Sequence, residues 1–160
     1  MNRDGSAALE DARPTETDWA VRAYIYQRFA RTGEAPVLAE VAAVVGATEF
    51  KVRTALKRLS AAHEIAPLPS GNGVWMANPF SALPTDYRVE TPHMACYANC
   101  AWDALGVAAI LESDERVETR CAQSGKALEY VVQDGTLLRG DGVIHLVTPV
   151  RDAWIDIGFT

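Results

Sequence analysis

The sequence predicts an α+β protein in which a helical N-terminal module precedes a small antiparallel sheet with one packed helix. Before residue 63, apolar side chains recur at the spacing of helices that pack through one face. After residue 115, short runs rich in β-branched residues are separated by glycine-containing turns, a pattern typical of antiparallel strands. These two patterns indicate halves of different structure.

The charge also differs between the two halves. Residues 1–90 hold ten basic and eleven acidic groups, whereas residues 91–160 hold five and ten. A proline-punctuated stretch separates the helical pattern from the strand pattern. We therefore predict a disordered tail over residues 1–14, a first module over residues 15–80 and a second module over residues 81–160.

Three helices are predicted in the first module. Thr15 begins a capping box with Asp18, and Gly33 ends the helix that follows. A second helix is expected from about Val37 to Val45. Thr48 caps a third, which is expected to extend to about residue 63.

A hairpin completes the first module, with strands over residues 65–68 and 74–76 joined by a Ser-Gly-Asn-Gly turn. Three helices and a hairpin resemble a winged helix-turn-helix, whose third helix would read DNA. That helix carries four basic residues against Glu49, namely Lys51, Arg53, Lys57 and Arg58. The sequence leaves two interpretations open, a DNA-binding face or a solvated charged face on a packing module; the second is favoured because the module as a whole is not basic.

In the second module, residues 86–90 are expected to be extended and residues 97–111 to form a helix that bears a cysteine. Strands are expected over residues 116–122, 128–133 and 142–150. The predicted result is a helix packed on an antiparallel sheet.

Composition excludes several classes of protein. The 160 residues are 49% hydrophobic, which is enough for a core, and the formal net charge of −6 excludes an electrostatic nucleic-acid coat protein. No stretch approaches the roughly 18 apolar residues of a membrane span, and the first residues lack a secretion signal. We therefore expect a cytoplasmic protein with no membrane partner. Its three cysteines are expected to be free thiols or metal ligands.

The predicted helix brings two of these thiols near a carboxyl group. Cys96 and Cys100 are four residues apart, and Asp103 follows three residues later, so all three would lie along one face. A thiolate is a nucleophile and a soft-metal ligand, and burial would make Asp103 a proton donor. Trp102 and Trp154 would shield the site from water. A cysteine that only packs and a solvated aspartate are the alternatives.

His93 extends the same predicted face. His93, Cys96 and Cys100 would then form a three-ligand site for zinc or another borderline metal, completed by Asp103 or Cys121. A loop or capping histidine is the alternative. The sequence has no phosphate loop, nucleophile elbow, Cys-x-x-Cys pair or dinucleotide motif, so we expect no bound organic cofactor.

At these residues the sequence resembles the organomercurial (alkylmercury) lyases. The family's Cys-Ala-x-Asp core matches Cys100–Asp103, and its Cys-Ala-x-Ser/Thr-Gly turn matches Cys121–Gly125. The resemblance implies mercury resistance through protonolysis of a carbon–mercury bond, which yields a hydrocarbon and Hg(II). It implies that Cys100 is the first catalytic thiol, that Asp103 is the acid and base, and that Cys121 is a structural thiol.

The sequence departs from this family in one respect. The family's second catalytic cysteine immediately follows a segment that resembles residues 154–160, where this sequence ends, and no cysteine follows Cys121. We predict that Cys96 substitutes as the second thiol. Small thiols or a mercuric reductase would accept the product Hg(II). A metal-responsive DNA-binding regulator and a mercury-binding homologue without turnover are the alternative functions.

Overall fold

The structure is a computed structural model that describes residues 13–158. The tail predicted over residues 1–14 lies almost wholly outside this range. The helices are α1 (Glu16–Thr32), α2 (Leu38–Val45), α3 (Glu49–Ala61) and α4 (Ala101–Leu111). The strands are β1 (Ala66–Pro67), β2 (Val74–Ala77), β3 (Phe80–Ser81), β4 (Arg88–Glu90), β5 (Ala95–Ala98), β6 (Glu115–Arg120), β7 (Ala127–Gln133) and β8 (Thr136–Arg139). A short 3₁₀ helix spans Val150–Ile155.

The first three helices begin and end at the predicted signals. The Asp18 amide donates to the Thr15 hydroxyl over 3.3 Å, and the Thr15 amide donates to the Asp18 carboxylate over 2.7 Å, which completes the capping box. Gly33 ends α1 in the left-handed conformation, with φ of 74°. Thr48 caps α3 through the Lys51 amide. These local hydrogen bonds explain why the sequence located the helices well.

An ion pair ties α1 to α3. Both carboxylate oxygens of Asp18 accept from the Arg58 guanidinium, over 2.7 and 2.8 Å, and Asp18 is fully buried. A buried carboxylate needs such a partner, since it is otherwise costly to remove from water. Arg58 therefore stabilises a buried carboxylate inside the first module, although its sequence position suggested a solvent-facing or DNA-facing side chain.

The strands form one antiparallel sheet in the order β1-β2-β3-β5-β4-β6-β7-β8. The β1–β2 hairpin confirms the strands predicted at residues 65–68 and 74–76. Strand β3 pairs with β2 on one side and with β5 on the other, so the sheet continues past the division predicted at residue 80. The ring of Phe80 also stacks on Phe29 of α1, with centroids 5.2 Å apart. One apolar core therefore contains residues of both modules.

The predicted α+β class is confirmed, with α4 packed on β4, β5 and β6. Strands β6 and β7 agree with the predicted strands to within two residues at each end. The strand predicted over residues 142–150 is wrong, because β8 forms earlier, directly after the Asp134–Gly135 turn, and takes the free edge of β7. Gly140 and Gly142 then turn the chain away with φ of 110° and 132°.

Among the described residues, no helix is both long and apolar enough to cross a membrane.

Candidate functional site

The candidate site lies at the first turn of helix α4. Cys100 is the N-cap residue, with extended backbone angles, and Asp103 is the third residue of the helix. In that geometry the thiol and the carboxyl group both lie at the end where backbone amides are unpaired. The predicted proximity of Cys100 and Asp103 therefore holds, although the helix begins four residues later than the sequence indicated.

The helix predicted from residue 97 is wrong at its start. Residues 95–98 form strand β5, in which Cys96 pairs with Val89 and Tyr97 pairs with Ser81 and Arg88. Cys96 and Ala98 point to the core, which is the two-residue alternation of a strand. Long-range pairing with β3 and β4 outweighs the helical tendency of this alanine-containing segment.

This correction removes the geometry on which Cys96 was predicted as the second thiol. Cys96 is on a strand and 4% exposed, not one helical turn from Cys100. Burial, with a smaller effect from the Glu115 carboxylate, raises the pKa of its thiol to about 12. Cys96 is therefore a packing residue that disfavours the thiolate form.

The three-ligand metal site predicted from His93, Cys96 and Cys100 is also wrong. His93 lies in the loop between β4 and β5, is exposed, and donates its amide to the Thr91 hydroxyl. Within residues 13–158, no three or more histidine, cysteine, aspartate or glutamate side chains are grouped as metal ligands. Neither Asp103 nor Cys121 completes such a site.

Two opposing effects act on the pKa of the Cys100 thiol. Burial raises the pKa of its thiol, and the nearby Asp103 carboxylate adds to this effect. The backbone amides of Asp103 and Trp102 act in the other direction by favouring the thiolate, although the thiol makes no cap hydrogen bond of regular geometry. Burial thus favours the protonated thiol, while the amide dipoles are placed to stabilise negative charge on the sulfur.

The Asp103 carboxyl group can exchange a proton with the Cys100 thiol. Burial raises the pKa of its carboxyl group, while contacts with the Asn99 amide and the Cys100 thiol partly offset that rise. A carboxyl group with a raised pKa beside a thiol can accept a proton and return it. The pair is therefore suited to moving a proton between sulfur and a reacting atom.

Asn99 is a site residue that the sequence analysis missed. Its side-chain amide donates to the Asn78 side chain over 3.0 Å and to the carbonyls of Phe80 and Pro79 over 3.2 and 3.3 Å. These bonds anchor the residue before Cys100 to the segment between β2 and β3. No local pattern in the sequence could reveal them, because their partners lie about twenty positions earlier.

The predicted shielding of the site by two tryptophans is wrong. Trp102 is 68% exposed, and Trp154 stacks on His63 next to α3. Two tyrosines are placed near the reactive pair. The Cys100 thiolate is one cause of the raised pKa of Tyr87, after burial, and Asp103 makes a smaller contribution to the raised pKa of Tyr26, where burial again comes first.

A cavity of about 540 Å³ lies beside α4. Ala101 and Ala104 of that helix form part of its wall, together with Tyr87 and the Cys121 thiol turn. The rest of the wall is mixed. Its apolar residues are Leu105, Val117, Leu128, Val143, Ile144 and Val147, and its polar or charged residues include Thr119, Arg120, Lys126, Asp141 and His145. The volume and the apolar part of the wall suit a small organic group.

The face of α3 offers little support for DNA binding. Of its four basic residues, Arg58 pairs with buried Asp18, and Arg53 pairs with Glu49 over 3.1 Å. Two of the four basic side chains are therefore paired with carboxylates within the molecule.

Comparisons with known proteins agree with the resemblance seen in the sequence. Residues 80–158 match the family model described as alkylmercury lyase, and this range contains Cys100, Asp103 and Cys121. A crystal structure titled as the mercury-bound form of MerB2 is similar in fold, with a TM-score of 0.64 and 23% sequence identity. The similarity covers 80% of this chain and 61% of that one. A search of curated proteins found no significant match.

The chain thus spans about three fifths of the length of the solved relative that it matches. The resemblance to the alkylmercury lyases is confirmed, in sequence for residues 80–158 and in fold for most of the chain.

Proposed function

We propose that this lyase-like protein cleaves the carbon–mercury bond of small organomercurials by protonolysis. The observation that carries the proposal is the placement of the Cys100 thiol and the Asp103 carboxyl group at the first turn of α4, where each affects the pKa of the other. A soft metal requires a sulfur ligand, and a carbon leaving group requires a proton. One helix terminus supplies both.

The reaction begins with transfer of the Cys100 proton to the Asp103 carboxylate as sulfur bonds to mercury. The Trp102 and Asp103 amides favour the negative sulfur that this transfer creates. The small thiolate that carries the substrate stays on the same mercury as its second sulfur ligand and increases electron density at the carbon. Asp103 then returns its proton to carbon, which takes the electron pair of the carbon–mercury bond. The products are a hydrocarbon and Hg(II) held by two sulfurs.

We place the small organic group of the substrate in the cavity beside α4, whose wall includes Ala101 and Ala104 of that helix. Small external thiols then accept the Hg(II), and a mercuric reductase is a further acceptor. The proposal includes no bound organic cofactor, since neither proton transfer nor sulfur ligation needs one.

The decisive experiment measures benzene released from phenylmercury in excess small thiol. We expect turnover by the wild type, and loss of turnover in both Cys100→Ser and Asp103→Asn. Cys96→Ala is the matched control, because it removes a buried thiol outside the site. Wild-type protein that binds mercury stoichiometrically but releases no benzene would overturn the proposed activity and leave a mercury-binding homologue.

A further inference from the structure

Asn99 ties the start of α4 to the segment between β2 and β3. Its side-chain nitrogen donates to the Asn78 side chain and to the carbonyls of Pro79 and Phe80. Its backbone amide also donates to the Pro79 carbonyl, over 3.4 Å. Bonds from both the side chain and the backbone to one short segment therefore hold the Asn99 side chain in one orientation.

The oxygen of the Asn99 side chain shows that packing alone does not account for this residue. That oxygen is buried and has no hydrogen-bond partner within residues 13–158. A buried acceptor without a partner lowers stability, and an apolar side chain of similar size would avoid that loss. The donor groups of Asn99, rather than its shape, therefore distinguish it from a packing residue.

Asp103 lies on the face of α4 that meets this segment. Gly106 follows Asp103 by three residues, so the two occupy neighbouring positions on one helix face. A Cβ on Gly106 would lie 3.6 Å from the Cβ of Pro79, which is van der Waals contact. Burial raises the pKa of Asp103, and a hydrogen bond from the Asn99 side chain acts against that rise by favouring the carboxylate.

Tyr26 of α1 holds the same segment from the first module. Its hydroxyl donates to the Asn78 carbonyl over 3.0 Å, and its ring meets Phe80 edge-on with centroids 6.5 Å apart. The anchor of Asn99 is therefore fixed from two sides, by α1 and by the start of α4.

We propose that Asn99 is a positioning residue that fixes the Asp103 carboxyl group beside the Cys100 thiol. The inference rests on the proposed function and goes beyond it, because Asn99 acts through Asp103 rather than on the substrate. The proton passes from the Cys100 sulfur to Asp103 and then to carbon, which takes the electron pair of the carbon–mercury bond. Asn99 gains and loses no atom. Its role is geometric, since a misplacement of about 1 Å can slow such a step about 100-fold.

The kinetic constants for benzene release from phenylmercury test this assignment. Asn99→Leu keeps the side-chain volume and removes the amide, and Asn99→Ala removes both without adding bulk. Each should lower kcat about 10- to 100-fold and leave KM within about threefold, because Asp103 acts after the substrate has bound.

Thr85→Val is the matched control for a loosened strand end. It keeps the shape of the side chain and removes the hydroxyl that donates to the Ala98 carbonyl over 2.6 Å, one residue before Asn99. Its kcat should stay within about twofold of the wild-type value. An equal fall in kcat in Thr85→Val, or an unchanged kcat in the Asn99 variants, would overturn the inference.

Alkylation of Cys100 tests the same assignment without turnover. Burial raises the pKa of this thiol, and the charge of Asp103 adds to the rise. An Asn99→Leu variant that releases the carboxylate should therefore speed alkylation at neutral pH, as Asp103→Asn does. Added to Asp103→Asn, Asn99→Leu should change the rate by less than about twofold, since the group through which it acts is absent. Cys121 in the same sample is the internal reference.

The double variant separates a positioning role from a structural one. Effects of Asn99→Leu and Asp103→Asn that multiply in the double variant would overturn the inference and make Asn99 a structural residue. A wild type that releases no benzene has a different meaning, because it removes the proposed lyase activity. Coupled effects on Cys100 alkylation would in that case still establish that Asn99 positions Asp103.

Discussion

The imidazole of His63 stacks on the indole of Trp154, with ring centroids 4.7 Å apart and planes 5° from parallel. A second contact lies nearby, where a Cβ on Gly158 would be 2.4 Å from the ring of Trp75. These contacts hold the segment after residue 150 against the groove between α3 and the β1–β2 hairpin. In a helix-turn-helix protein the recognition helix, to which α3 would correspond, lies in the major groove of DNA.

Loss of the stacking partner should loosen this segment. Trp154→Ala removes a contact of about 0.5 to 1.5 kcal/mol, so limited proteolysis within residues 150–158 should proceed roughly two- to tenfold faster. Trp19→Ala, a tryptophan change on α1, should leave that cleavage rate unchanged. Equal rates in the two variants would show that the stack does not hold the segment.

Asp18→Asn should strongly destabilise the first module. Burial opposes ionisation of Asp18, but Arg58 and the Thr15 cap outweigh it and lower the pKa of the carboxyl. Because the folded value lies below the unfolded one, this stabilisation is present above a pH of about 3.9 and disappears as the pH falls through the folded pKa. We expect a loss of about 3 to 5 kcal/mol at neutral pH in urea unfolding. The control Glu16→Gln, at an exposed neighbouring position, should lower the free energy of unfolding by less than about 0.5 kcal/mol.

Glu115→Gln should change the pH dependence of stability. Glu115 is 3% exposed, and neither carboxyl oxygen has a hydrogen-bond partner within residues 13–158. Burial raises its pKa to about 7, so the folded protein holds this proton more tightly than the unfolded chain. Stability is therefore greatest below the unfolded pKa and falls as the pH rises through about 7.

The glutamine variant lacks this titration. Its free energy of unfolding should exceed that of the wild type at about pH 8 by up to about 3 kcal/mol, and the difference should shrink toward about pH 5. Urea unfolding at the two pH values measures both quantities. A constant difference across the range would mean that Glu115 is not the titrating group.

Asp103→Asn should make Cys100 more acidic. The carboxylate contributes to the raised pKa of the thiol through its charge and its hydrogen-bonding contact. Without that charge, the pH midpoint of Cys100 alkylation should move down, although burial keeps it above that of an exposed thiol. Peptide mass analysis distinguishes Cys100 from Cys121 within one sample. An unchanged midpoint would place Asp103 too far away to exchange a proton with the thiol.

Gly33→Ala should damage the fold more than Gly46→Ala, although both residues end helices with positive φ. A Cβ at Gly33 would lie 1.9 Å from the Ala95 carbonyl oxygen, whereas at Gly46 it would meet nothing within 4 Å. The left-handed conformation alone costs about 1 to 2 kcal/mol, and only Gly33→Ala must also displace β5. Urea unfolding should separate the two, and alkylation of Cys100 should change in Gly33→Ala alone.

The sequence predicted the structural features that depend on residues close together in the chain. Helix α1 was located because Thr15, Asp18 and Gly33 form its caps locally, and the proximity of Cys100 and Asp103 depends only on the first turn of α4. Cys96 was misplaced because β5 is four residues long and its partners, Ser81 and Arg88, are remote. A strand this short contains too few residues to show either a helical or an alternating hydrophobic pattern.

The match to the family model begins at residue 80, and the Phe80 ring packs on Phe29 of the preceding module. A fragment cut there would expose the Phe80 ring and leave the β2-facing edge of β3 open to pair with another copy. We therefore do not expect the segment that matches the family model to fold stably by itself. The first module packs against the thiol-bearing half through one shared core, so the two halves should be expressed and engineered as one piece.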